Sequence, residues 1–136
     1  MSIKPCPPED WEQREVVKWL RARNIPHFAT VNQQQMSGGN RKAAAIIVGK
    51  LKALGMRPGV SDLCVLLPHA LLFIEMKREY GGVVSKVQKE WINMVNELPY
   101  AEGIVCRGHR EAITVIESQY VDTSSTYVAQ IDRRCE

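Results

Sequence analysis

The chain has 136 residues, 45% of them apolar and 24% charged, the proportions of a single folded domain that needs no disulfide or metal staple. No apolar run approaches the roughly 20 residues that cross a bilayer, and the opening MSIKPCPPEDW lacks the apolar centre of an export signal. The net charge of +3 is unevenly spread: no acid lies between Glu15 and Asp62, an interval that holds Lys18, Arg21, Arg23, Arg41, Lys42, Lys50, Lys52 and Arg57.

PPEDWEQREVVKWLRARN predicts a first helix. Prolines suit its start, acids fill its first turn and basic residues its last, all favourable with the helix dipole. Glu9, Gln13, Val16 and Leu20 recur at helical spacing and share one face. HFATVNQ is a short strand candidate and QQMSGGNRK a flexible basic loop. NRKAAAIIVGKLKALGM follows as a second helix, with Ala44, Ile47, Leu51 and Leu54 inward and its lysines outward. SDLCVLLP and ALLFIEMK are near-continuous apolar runs joined by PHA, the pattern of a hairpin.

SKVQKEWINMVNEL predicts a third helix, with Val87, Trp91, Val95 and Leu98 toward the core and Ser85 with Gln88 in a capping box. AEGIVCRG is a further strand and HREAITVIES a short final helix. Residues 1–118 form the domain, and 119–136 a polar tail that reads equally as an arm, a swapped element or a disordered end. The order helix, strand, helix, hairpin, helix, strand, helix predicts an α/β sandwich around a central mixed sheet. Helices on both faces explain strands that are apolar throughout.

The four cysteines, Cys6, Cys64, Cys106 and Cys135, form no CxxC pair, and His27, His69 and His109 are equally dispersed. That spacing argues against a zinc site and against a disulfide framework, and suits a reducing cytoplasm. Cys64 and Cys106 fall within strand-like runs, where Cys serves as a small buried hydrophobe.

Chemistry concentrates at the ends of two apolar runs, in Asp62 and in Glu75-Met76-Lys77. Side chains alternate along a strand, so Glu75 and Lys77 emerge on one face while Met76 points the other way. A hairpin with a bend near Asp62 brings its carboxylate toward Glu75. Two converging carboxylates repel and are costly to desolvate, a cost that a divalent cation removes. Hard oxygen ligands favour magnesium or manganese over zinc. A neighbouring ammonium suits phosphodiester hydrolysis, where it can orient a water or offset charge on the phosphate. Glu-x-Lys on a strand is also the pattern of a solvent-facing ion pair, and Asp62 alone is also an ordinary turn residue.

PGVSDL, FIEMKR, GG, Ser85 and QKEW together resemble the VRR-NUC domain of the PD-(D/E)xK nuclease superfamily, over about Glu9 to Gly108. Many members read Pro-Asp where this chain has Ser61-Asp62; the proline supplies backbone shape and no ligand. The resemblance implies a restriction-endonuclease-like fold and a DNA endonuclease that uses magnesium or manganese. Asp62, Glu75 and Lys77 take the places of the superfamily's Asp, Glu and Lys, and Gln88 that of a Gln on the helix after the hairpin. Met76 contributes its backbone carbonyl to the metal. An acid from the first helix joins the site in relatives: Glu9 is the first choice and Glu12, one turn along, the second. Both are also ordinary first-turn charges, and the capping box alone explains Gln88.

The basic interval provides a phosphate-binding surface, with Arg41, Lys42, Lys50 and Lys52 as the expected DNA contacts. Contacts to phosphates give affinity and salt dependence without sequence choice. The same charges also suit a merely solvated surface. Stand-alone members of the resembled family are small homodimers, often phage-encoded, that cut branched DNA such as Holliday junctions. That implies a homodimer acting on branched DNA in the cytoplasm of a phage-infected or bacterial host. Two other readings remain open: a flap- or nick-directed nuclease, and a non-catalytic DNA-binding module that keeps the fold.

Overall fold

In a computed structural model, which describes residues 5–30 and 40–121, the elements follow the expected order. They are α1 (Glu9–Ala22), β1 (His27–Ala29), α2 (Arg41–Ala53), β2 (Leu63–Leu66), β3 (Leu71–Lys77), α3 (Lys86–Asn96), β4 (Ala101–Arg107) and α4 (His109–Val121). Strand β1 covers only the first part of the HFATVNQ candidate; residues 31–33, most of the QQMSGGNRK loop and the tail from residue 122 lie outside the described residues. Helix α4 runs past the expected domain end at residue 118.

The four strands form one mixed sheet in the order β1-β2-β3-β4. Strands β1, β2 and β3 pair antiparallel, with β2 and β3 as the expected hairpin closed around Pro68 and His69. Strand β4 runs parallel to β3, so a crossover is needed between them and α3 supplies it. Helix α3 begins with the expected capping box, in which Ser85 and Gln88 satisfy one another's backbone N–H groups.

The core lies between one face of the sheet and the helices α1 and α4. Leu63, Val65, Leu72, Ile74, Met76 and Cys106 meet Val16, Leu20, Ala112 and Ile116 there, all without solvent exposure. Each such aliphatic side chain removed from water contributes about 1.5–3 kcal/mol, which fixes the register of β3. The alternate residues of β3, Phe73, Glu75 and Lys77, face the other side. Helix α3 covers that side, where Trp91 meets the Phe73 ring edge-on at 5.7 Å. It lies so close to β4 that a Cβ at Gly103 would stand 3.3 Å from Ile92, and Asn96 hydrogen-bonds both the N–H and the C=O of Gly103.

Three expectations about helix faces need correction. On α1 the fully buried residues are Glu12, Val16 and Leu20, a strict spacing of four, and the buried acid is therefore Glu12 in place of Glu9. On α3, Val95 is buried as expected, whereas Val87, and Leu98 just past the helix end, are exposed. On α2 no residue is buried: Ile47 is exposed, and Leu54, the residue just past the helix, is 85% exposed. The apolar periodicity of α2 makes it amphipathic, but none of the other described elements packs its apolar side away.

Candidate active site

Asp62 sits one residue before β2. Thr30, just past β1, fastens this point: its N–H donates to the Asp62 carbonyl at 2.9 Å and its hydroxyl to the Ser61 carbonyl at 2.6 Å. Leu63 pairs with Ile74 across the hairpin, so one step further along the antiparallel ladder Asp62 comes opposite Glu75. Instead of extending the ladder, Asp62 turns its carboxylate in, and Oδ2 accepts the Met76 N–H at 2.8 Å. The two carboxyl groups come within hydrogen-bonding reach of each other.

Glu75 and Lys77 emerge together on the α3 face of β3, and both are buried, at 2% and 6% exposure. The Lys77 ammonium lies 3.3 Å from Glu75 Oε1 and 3.8 Å from Glu9 Oε1. A solvent-facing cross-strand pair is thereby excluded, because such a pair keeps its water. Gln88 donates its amide to the same Glu75 oxygen at 2.6 Å. Gly82 closes the loop after β3 over this cluster; a Cβ there would lie 3.3 Å from the Lys77 stem and 3.4 Å from Glu9 Oε1.

Burial, and secondarily the Asp62 carboxylate, push Glu75 up to about 7, with Lys77 pulling the other way. Burial raises Asp62 as well, against the opposing effect of the Met76 N–H and Lys77. Two acids held in one dry corner resist carrying both charges. That is the electrostatic condition a divalent cation relieves, and the donors are oxygens of the kind magnesium and manganese prefer. Asp62 and Glu75 fit such an ion. Met76 has its side chain in the core and its N–H on Asp62, so any ligand it supplied would be its carbonyl. Among the described residues no three His, Cys, Asp or Glu side chains are already spaced to close around a metal ion, so a third carboxylate would have to move in.

The two first-helix acids go to different places. Glu9 reaches Lys77 and is half-exposed, whereas Glu12 is buried against α4, its Oε2 accepting the His109 N–H and facing His109 Nδ1 at 2.6 Å. The involvement of His109 was not readable from the sequence, since it follows Glu12 by 97 residues. Arg41, Lys42, Lys50 and Lys52 are all exposed on α2 and belong to none of these contacts.

A mixed sheet flanked by helices, with two acids and a lysine at neighbouring strand ends, defines a restriction-endonuclease-like α/β domain. Comparison with family models then matches residues 7–110 to the VRR-NUC domain, and the chain belongs to that family of nuclease-type domains. A solved structure described as a VRR_NUC domain protein shares the fold: it is 23% identical, the match covers 86% of this chain and 90% of that one, and the TM-score is 0.60. No curated protein matches this chain. Among the described residues no helix is long and apolar enough to cross a membrane.

Proposed function

We infer that the protein is a divalent-metal-dependent DNA endonuclease that hydrolyses phosphodiester bonds, with magnesium or manganese as its cofactor. The observation that carries this reading is the meeting of Asp62 and Glu75 across the hairpin, with the buried Lys77 ammonium 3.3 Å from Glu75. Asp62, Glu75 and the Met76 carbonyl would hold the cation, and Glu9 is the acid placed to join them. The cation supplies Lewis acidity toward the phosphate and acidifies a water. Lys77 offsets charge that builds on the phosphate, and Gln88 keeps Glu75 oriented.

The preferred substrate is branched DNA such as a Holliday junction, cut by a homodimer. Support comes from the absence of any base-reading helix-turn-helix or zinc-finger pattern in the sequence, and from the exposed basic face of α2, which suits phosphate contacts. Two symmetric copies place one site on each of two strands.

The experiment is incubation of the purified protein with junction, flap and linear duplex DNA, with magnesium, with manganese and with chelator. Cation-dependent scission, strongest on the junction, is the expected result. Preferential cutting of flaps would move the reading to a flap nuclease. DNA binding without scission under every cation condition would overturn the enzymatic reading and leave a binding module.

A further inference from the structure

Helix α1 brings Glu9 to the candidate active site from its first turn, and that turn lacks a side-chain cap. Its N-cap is Pro8, whose side chain makes no capping hydrogen bond; the Trp11 N–H donates to the Pro8 carbonyl at 3.1 Å, and the N–H groups of Glu9 and Asp10 are left without a cap from that side chain. First turns without caps fray. Glu9 nonetheless lies within ion-pair distance of Lys77, a contact that gains from the turn being held from elsewhere as well.

The holding contacts come from the start of α4. Glu12 is one turn after Glu9 and only 1% exposed. A carboxylate so deeply buried needs partners, and it has two, both from His109: the backbone N–H and Nδ1. Trp11, in the same turn, meets the His109 ring edge-on at 5.4 Å. His109 is itself fixed to the active-site strand, because the N–H of Gly108 donates to the Lys77 carbonyl at 2.8 Å. Gly108 adopts a φ of +86°, and a Cβ there would press on Glu79 at 2.9 Å and approach Glu12 Oε2. A continuous path of contacts therefore runs from the Lys77 backbone through Gly108 and His109 to Glu12, and along one helical turn to Glu9, which returns to the Lys77 side chain.

We propose that Glu12 and His109 are positioning residues: their pairing clamps the uncapped first turn of α1 onto the end of β3 and so sets the Glu9 carboxylate beside Lys77 and Glu75. Neither touches the substrate or the cation. The assignment of Glu12 follows from its pairing with His109, which engages its carboxylate on the α4 side and gives it this second task. The role of Glu9 rests on the nuclease reading above; the clamp itself does not.

The test is a double-mutant cycle read by manganese affinity in calorimetry, using wild type, Glu9→Gln, His109→Ala and the double variant. Loss of an outer partner that orients a ligand costs about 10–100-fold in metal affinity. If His109 acts through Glu9, each single variant binds manganese at least tenfold more weakly and the double is no weaker than Glu9→Gln alone. His109→Asn, whose amide can replace Nδ1–H, recovers most of the loss. Additive losses, or an unchanged affinity in His109→Ala, would overturn the proposal. The clamp is read separately by deuterium exchange without cation: His109→Ala and Glu12→Gln speed exchange at residues 9–13 and leave 16–22 protected. Unchanged exchange in both variants would also overturn it. A wild type that shows the clamp in exchange and binds no manganese instead sinks the nuclease reading and leaves the clamp standing.

Discussion

Gln88 joins a helix start to the active site: its Oε1 accepts the Ser85 N–H at 2.8 Å while its Nε2 donates to Glu75 Oε1 at 2.6 Å. Each task fixes the other. The capping box requires the amide oxygen to face Ser85, which turns the NH2 toward Glu75. Capping and carboxylate orientation are thus one arrangement of one side chain. Gln88→Ala should cost about 1 kcal/mol of stability, the ordinary worth of a cap. It should also lower cleavage under conditions where the variant stays fully folded. Urea denaturation alongside single-turnover cleavage separates the two effects, and a rate equal to wild type would remove Gln88 from the site.

Asp62→Ala and Glu75→Ala should each abolish cleavage and leave DNA binding largely intact, because neither carboxylate contributes to phosphate affinity. Binding to uncleaved junction in chelator, measured by fluorescence anisotropy, should stay within about threefold of wild type, less than 1 kcal/mol. A variant of either residue that still cuts at the wild-type rate contradicts the metal-site assignment.

The metal-free protein should lose stability as pH rises from 4.5 to about 7. Glu75 is raised from 4.5 to about 7 in the folded state, so in that window the native form holds a proton that the unfolded chain has released. Stability is then greatest below the window and declines through it, by an amount on the order of 2 kcal/mol. Glu75→Gln should flatten this decline and be more stable than wild type near pH 8 in chelator. Thermal melts in chelator from pH 4 to pH 8 provide the check; parallel curves for the two proteins would contradict the buried-acid account.

Lys50→Ala with Lys52→Ala should weaken DNA binding and reduce its salt dependence. Each lysine that neutralises a phosphate of a duplex arm adds about 0.9 to the log–log salt slope, so replacing both should lower it by nearly 2. Both side chains are exposed and outside the core, so the melting temperature should not move. An unaltered slope would mean that the DNA lies on another face.

The sequence carried the site further than it carried the packing around it. Glu75 and Lys77 are two apart on a strand, and the hairpin register follows from an apolar run on either side of Pro68. Their meeting with Asp62 was therefore legible from alternation and pairing alone. Gln88 was legible as a cap. The buried acid of α1 was misplaced because Glu9–Gln13–Val16–Leu20 and Glu12–Val16–Leu20 both fit helical spacing, and only the tertiary partner decides between them. That partner, His109, gives no local signal. Helix α2 shows the converse limit: periodicity reveals an apolar side, but no pattern within a helix states what covers it.

With none of its side chains buried among the described residues, α2 rests mainly on its own backbone ladder and its Asn40 cap. Thirteen residues are close to the length at which an isolated helix is marginal in water. Its amides should accordingly be the quickest among the four described helices to trade hydrogen for deuterium, and its opening should not propagate into the sheet. Such an element tolerates substitution at little cost to the Asp62–Glu75–Lys77 corner, so on the proposed reading changes there would alter phosphate contacts without disturbing that corner.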